Sequence, residues 1–295
     1  MKKKNLKAIS ILLTCGLLAG CAKEQVSTTT EEQETQTVTA EKQESTDSQE
    51  GAVSEACKSI NHGNYGEVVH IPNPSWDYYI AKDTESKVKP ITLNKLTEEA
   101  NEIIDEDKWF LENNITEPTE DGDAYICLVE RADYSEGCLL NIFDKVTGTQ
   151  LVTLDFSDYC FANDSIPENE AFVEQQIVWT KIEGNTLYLS VGHNTYAESS
   201  PHHAYIMAID LTDMSVMWKT EPLTSNARDF ELIGDIIFSG YGFTAEKDYL
   251  KQIDKSTGKV LEQIPLKSMA EYIIQKEDIL YVRTYDTNYT FHLEK

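Results

Sequence analysis

Three sets of residues have side chains and spacings suited to chemistry. The stretch GHNTYAESSPHHAY places His193 before a loop and His202 and His203 after it. Neutral imidazoles are common ligands for zinc and copper. Across a loop between paired strands, His193 can meet one of the other two, with Glu198 as a further donor; a solvated polar loop is the other reading of the same residues. The second set is Cys57, Cys127, Cys138 and Cys160. No two are adjacent or in a CxxC arrangement, which predicts neither a redox motif nor a zinc knuckle, and as disulfides they allow three pairings. Cys127 and Cys138 flank RADYSEG and face each other if the turn is centred between Ala132 and Asp133; a turn centred nearer Ser135 puts them out of register. The first geometry pairs Cys127 with Cys138 and, by elimination, Cys57 with Cys160. The third set is acidic, Asp121 and Asp123 in TEDGDAY and the run IDEDKW. Neither has the spacing of a calcium-binding loop, and both read as turn acids.

The elements that must position these residues announce themselves by repetition. NIFDKVTGTQLVTL (141–154), MAIDLTDMSVMWKT (207–220) and KQIDKSTGKVLEQI (251–264) each read as strand, turn and strand. Asp144 and Asp254 can accept backbone N–H groups within their turns, and Gly148 and Gly258 can take a left-handed conformation at little steric cost. Asp210 keeps its place, but Met214 fills the glycine slot, which predicts a turn built differently. Another strand signal precedes each copy, in DGDAYICLVE, EGNTLYLSVG and GDIIFSGYG. Each repeat is therefore two hairpins. The aspartates of the last two copies lie 44 residues apart and those of the first two 66 apart, the excess being an insertion around SDYCFANDSIPENEA. Both faces of these strands are apolar, as needed by a sheet packed between two others.

This pattern predicts an all-β fold, a small β-propeller of about four to five four-stranded antiparallel blades, with a short helix near the N-terminal side. Leu96, Ala100, Ile103 and Ile104 share one helical face and place that helix near Asn94 to Asp105. The C-terminal stretch EYIIQKEDILYVRTYDTNYTFHLEK begins like a further blade and stops before its fourth strand, with Leu293, Glu294 and Lys295 aligned on Ile253, Asp254 and Lys255. GEVVHIP (66–72) resembles GKVLEQIP (258–265) and is expected to supply that missing strand, which would remove an exposed edge. Asn73 to Asp107 is left as a degenerate fifth blade or a helical cap.

IDKSTGKVL resembles the repeat of quinoprotein-like (PQQ-like) propellers, in which a strand ending in Asp is followed by Thr-Gly and an apolar strand often carrying Trp. Trp218 holds that tryptophan position; Val152 and Glu262 hold it in the other copies. The resemblance spans roughly residues 108–295 and implies fold more than function. Quinone-dependent dehydrogenases of that class use larger propellers, and several carry a disulfide between adjacent cysteines, which this sequence lacks. The expectation is therefore a non-enzymatic module without a cofactor. The rival is a quinone- or metal-dependent oxidoreductase, which a bound chromophore or stoichiometric transition metal would reveal.

The first 21 residues, MKKKNLKAISILLTCGLLAGC, set four lysines before an apolar run too short to cross a membrane. Leu18, Ala19, Gly20 and Cys21 resemble the lipobox of bacterial lipoproteins. That resemblance implies cleavage between Gly20 and Cys21 and acylation of the Cys21 thiol, which would anchor residues 21–295 to the outer face of a bacterial cell membrane. Residues 21–54, rich in Thr, Glu, Gln and Ser, read as a disordered tether, and 55–295 as the propeller. Removing residues 1–20 takes away four lysines and no acids, leaving 21 basic against 51 acidic residues. Such a balance argues against nucleic acid. A protein or another extracellular ligand, bound across one loop face, is the expected partner.

Overall fold

Turn chemistry repeated along the chain builds four sheets, as the computed structural model shows. The structure describes residues 67–73, 75–76, 85–101, 105–116, 118, 124–130, 137–161, 172–193 and 202–294. In chain order the elements are β1 (Val68–His70), β2 (Thr92–Ala100), α1 (Glu106–Glu112), β3 (Tyr125–Glu130), β4 (Leu139–Asp144), β5 (Gln150–Asp155) and α2 (Ser157–Cys160). Then follow β6 (Gln176–Glu183), β7 (Thr186–Gly192), β8 (Tyr205–Asp210), β9 (Ser215–Lys219), β10 (Glu231–Ile233), β11 (Ile236–Tyr241), β12 (Tyr249–Asp254), β13 (Val260–Pro265), β14 (Ala270–Lys276), β15 (Ile279–Thr284) and β16 (Thr287–Glu294). The sheets are β1-β5-β4-β3, β6-β7-β8-β9, β10-β11-β12-β13 and β14-β15-β16-β2. Among the described residues these are the four blades of a small all-β propeller.

The repeated aspartates do what their spacing implies. Asp144 Oδ1 accepts the N–H groups of Val146 and Thr147 at 2.8 and 2.9 Å, and Asp254 Oδ1 accepts the N–H and hydroxyl of Ser256 at 2.8 and 2.7 Å. Asp210 makes the same pair of bonds with Thr212, at 2.8 and 2.6 Å. Gly148 and Gly258 sit at φ 69° and 73°. Met214 sits at φ 61°, so the glycine slot keeps its left-handed backbone without a glycine. The turn expected to differ there is a near copy, held by the aspartate cap and by Ser215 N donating to Asp213 Oδ1 at 3.0 Å.

Burial joins neighbouring blades. One apolar cluster joins the first and second through Leu140, Ile142, Leu154, Leu187, Leu189 and Met207. Another joins the second and third, where Trp218 and Ile206 meet Phe230, Ile237 and Ile253. A third joins the third and fourth through Phe238, Leu250, Ile273, Leu280 and Val282. Trp218 is fully buried, and a methyl group placed on Gly258 would lie 2.6 Å from its ring. The third blade's turn thus seats against the second blade's tryptophan.

Four expectations are corrected. Thr92–Ala100 is a strand, not a helix: β2 pairs antiparallel with β16 from Glu294↔Thr92 to Thr287↔Ala100. The open edge of β16 gives every second backbone group a partner, and this outweighs helical propensity in a segment whose Leu96 has no apolar face to reach and remains 57 % exposed. The short helix comes later, as α1, with Asp105 Oδ1 capping Lys108 N at 3.0 Å. Secondly, β2 rather than GEVVHIP completes the last blade. β1 instead lies parallel to β5, with Val68↔Thr153 and His70↔Asp155, so the first blade contains one parallel pair. Thirdly, β16 runs on two residues further than the repeat alignment implied. Leu293 N donates to Asp278 O as Lys255 N does to Asp235 O, so His292, not Glu294, stands in the place of Asp254. Fourthly, Asn73 to Asp107 forms no fifth blade among the described residues; it contributes β2 and the start of α1.

Candidate functional site

Strand direction alternates within each blade except at the parallel β1–β5 pair, so the connections sort to two ends. At one end lie the turns 184–185, 234–235 and 277–278 and the aspartate-capped turns 145–149, 211–214 and 255–259. At the other lie 131–138, 156–175, 193–204, 220–230 and 242–248, with two shorter connections, 266–269 and 285–286. Residues 131–136, 162–171 and 194–201 of these fall outside the described residues. The candidate histidines and two of the cysteines belong to this long-connection end.

Register dictates which histidines meet. Val191 pairs with Tyr205, so two rungs further along the hairpin His193 stands opposite His203. Their ring centroids are 4.3 Å apart at 51°, and Phe243 lies edge-on to His193 at 5.9 Å. His203 is buried, and neither of its ring nitrogens has a hydrogen-bond partner. Burial first, then the neighbouring His193, push its pKa down to about 3, so it stays neutral. His202 goes elsewhere. Its Nδ1 lies 3.4 Å from the Trp76 carbonyl oxygen and its ring meets the Trp76 indole edge-on. Neighbouring side chains of an extended segment point to opposite sides, and the chain then passes through Ala204, a non-glycine residue at φ 61°. Its strained backbone is held by Thr224 N and Ser225 N, which donate to Ala204 O at 2.6 and 2.9 Å, and by Leu223 N, which donates to His203 O at 2.9 Å. Gln175 donates from Nε2 to His202 O at 3.0 Å, while its buried Oε1 has no partner.

Buried polar groups that sequence reasoning missed hold this end together. Lys219 donates to Ser75 O at 2.9 Å and lies over the rings of Tyr205 and Tyr159 at 5.2 and 5.8 Å. Lys251 donates to Leu223 O at 2.6 Å above the Tyr241 ring, and burial pushes its pKa down to about 8. Asn226 and Gly242 exchange two hydrogen bonds, 2.6 and 3.2 Å. The available signal was a lysine directly after Trp218 and another directly after Leu250 within β12. Nearer the fourth blade, buried Arg283 lies 3.5 Å from Glu271 and over the Trp109 ring, while Arg228 reaches Glu106 at 2.8 Å.

Among the cysteines, Glu130 pairs with Leu139, so the connection is centred near Ser135 and Cys127 stands opposite Ile142 rather than Cys138. The Cys138 carbonyl accepts Phe156 N at 2.8 Å, and the Cys160 thiol lies 3.9 Å from the Gly137 carbonyl, which brings residues 138 and 160 into one neighbourhood. Burial, then Cys138, raise the Cys160 thiol well above its ordinary range. Cys57, Cys21, Gly20, Glu198, Asp121 and Asp123 lie outside the described residues. Among those described, no three His, Cys, Asp or Glu side chains gather as a metal-ligand set, and no helix is long and apolar enough to cross a membrane. At the short-turn end, a hollow of about 730 Å³ is walled by Val88, Lys89, Ile91, Leu232, Ile233 and Gly234.

No protein-family profile matches this sequence, and no characterised protein does. Among solved structures, the chain is similar to the computationally designed Ika4 protein at 14 % identity, covering 58 % of this chain and 87 % of Ika4, with a TM-score of 0.39. It is similar to the Pan2 WD40 domain of Neurospora crassa at 12 % identity, covering 60 % of this chain and 49 % of that one, with a TM-score of 0.36. It is similar to BamB of Moraxella catarrhalis at 11 % identity, covering 60 % and 62 %, with a TM-score of 0.30. These likenesses concern fold alone, and the architecture rests on the strand pairing itself.

Proposed function

We propose that this protein is a non-enzymatic binding module, anchored through lipid on Cys21 at the outer face of a bacterial cell membrane, that engages a protein or other extracellular ligand with its long-connection end. The observation that carries this reading is the asymmetry of the blades. Closely similar aspartate-capped turns close one end three times over, whereas the other end spends far more chain on connections that differ from blade to blade. A rigid scaffold with divergent connections at one end is the arrangement in which recognition residues can vary without cost to the core.

Two experiments test it. Metabolic palmitate labelling of cells expressing the full chain should label the wild type and not Cys21→Ser; label retained in the variant contradicts the anchor. Crosslinking on intact cells followed by capture should recover a partner with the wild type, and replacing Thr244, Ala245 and Lys247 by glycine and serine should remove that partner while leaving thermal melting unchanged. A partner retained by that variant and lost on changing the 145–149 turn would reverse the assignment of ends.

A further inference from the structure

Buried polar atoms without partners are uncommon, and the neck of the β7–β8 hairpin gathers three of them. They are both ring nitrogens of His203, which is 1 % exposed, and Oε1 of Gln175, which is 4 % exposed. Leaving such groups unpaired carries the full cost of removing them from water. A neutral imidazole carries one lone pair and one N–H, so a second neutral imidazole beside it could satisfy it only through a hydrogen bond. The 51° tilt of the two rings makes no such bond for His203.

We propose that His193 and His203 form a two-imidazole site for a borderline divalent transition ion, zinc or copper, with the Gln175 amide oxygen beside it. Two features support this. The antiparallel register holds the two imidazoles opposite each other, an arrangement that needs no ordering when the ion binds. Gln175 is fixed through its Nε2 to the carbonyl of the residue next to His203, which leaves its oxygen as the donor at the same neck. His202 takes no part, because its ring is turned to Trp76. This site goes beyond the proposed binding function. An ion here would tie the ends of β7 and β8 together.

The test is calorimetric titration of zinc into chelator-treated, detergent-solubilised full chain carrying no histidine tag. One equivalent should bind to the wild type and to His202→Ala, and none to His203→Ala or His193→Gln, with thermal melts confirming that each variant folds. With copper(II) as the probe, electron paramagnetic resonance should show coupling to two imidazole nitrogens, reduced in His193→Gln should His203→Ala fail to fold. No uptake by the wild type, uptake that survives both substitutions, or equal loss in His202→Ala would overturn the site.

Discussion

The two ends of the same blades are built on different principles. At the short-turn end an aspartate repeats its hydrogen bonds at residues 144, 210 and 254, and each bond spans two or three residues of sequence. At the long-connection end the equivalent work is done by groups far apart in the chain. Lys219 reaches Ser75, Tyr159 donates from its hydroxyl to Pro72 O at 2.9 Å, and Lys251 reaches Leu223. Local chemistry gives a uniform, closed end that can be copied from blade to blade. Non-local chemistry gives an end whose every connection is individual, and which can therefore be individual in what it binds.

This contrast can be broken most severely at the blade seam. Trp218→Ala should destabilise the fold by about 3–5 kcal/mol, because it empties a fully buried site between the second and third blades; a denaturant titration showing less than half of that would mean the seam does not rest on this ring. A pair of glycines sharpens the point. Gly148→Ala and Gly258→Ala impose the same left-handed penalty, about 1–2 kcal/mol. A Cβ at 148 meets nothing within 4 Å, whereas one at 258 strikes Trp218. Gly258→Ala should therefore lower the melting temperature clearly more than Gly148→Ala, and equal shifts would contradict the docking of that turn. Asp254→Ala removes two N–H and hydroxyl partners from one turn and should cost about 0.5–2 kcal/mol, as loss of a comparable cap does, without altering ligand capture.

The smallest effect belongs to the long-connection end. His70 lies 3.3 Å by Nδ1 from Asp155 and 3.1 Å by Nε2 from Asp158, and its pKa is raised, chiefly by the hydrogen bond to Asp155. A raised folded-state pKa stabilises the charged form. The contribution is therefore complete below the unfolded value near 6.5 and is lost as pH rises through the folded value. The group is half exposed, so the gain stays below about 1 kcal/mol. Hydrogen exchange of β1 should quicken relative to the intrinsic rate between roughly pH 6 and 8, and His70→Gln should remove that dependence.

What could be read from the sequence follows the same division. Strands, turn positions and blade period were legible because Asp144, Asp210 and Asp254 act within a few residues of themselves. The strand character of Thr92–Ala100 was not, because LNKLTEEA has the spacing of a helix and becomes a strand only beside β16, some 200 residues away. GEVVHIP shows the converse error. Its likeness to β13 correctly marks an edge strand, but nothing within seven residues states which edge receives it. For the site, the hairpin neck made a meeting of His193 with one of two neighbours foreseeable; the choice of His203 depended on the register of β7 with β8, and the roles of Lys219 and Gln175 on contacts with distant segments.

If the long-connection end carries recognition, site-specific photocrosslinking on intact cells should capture the partner there. A photoreactive residue would be placed in turn at Thr244, at Val146 on the short-turn end and at Lys89 beside the 730 Å³ hollow, all three exposed. A discrete crosslinked adduct is expected from position 244 and none from 146 or 89. An adduct from 89 or 146 with none from 244 would contradict it.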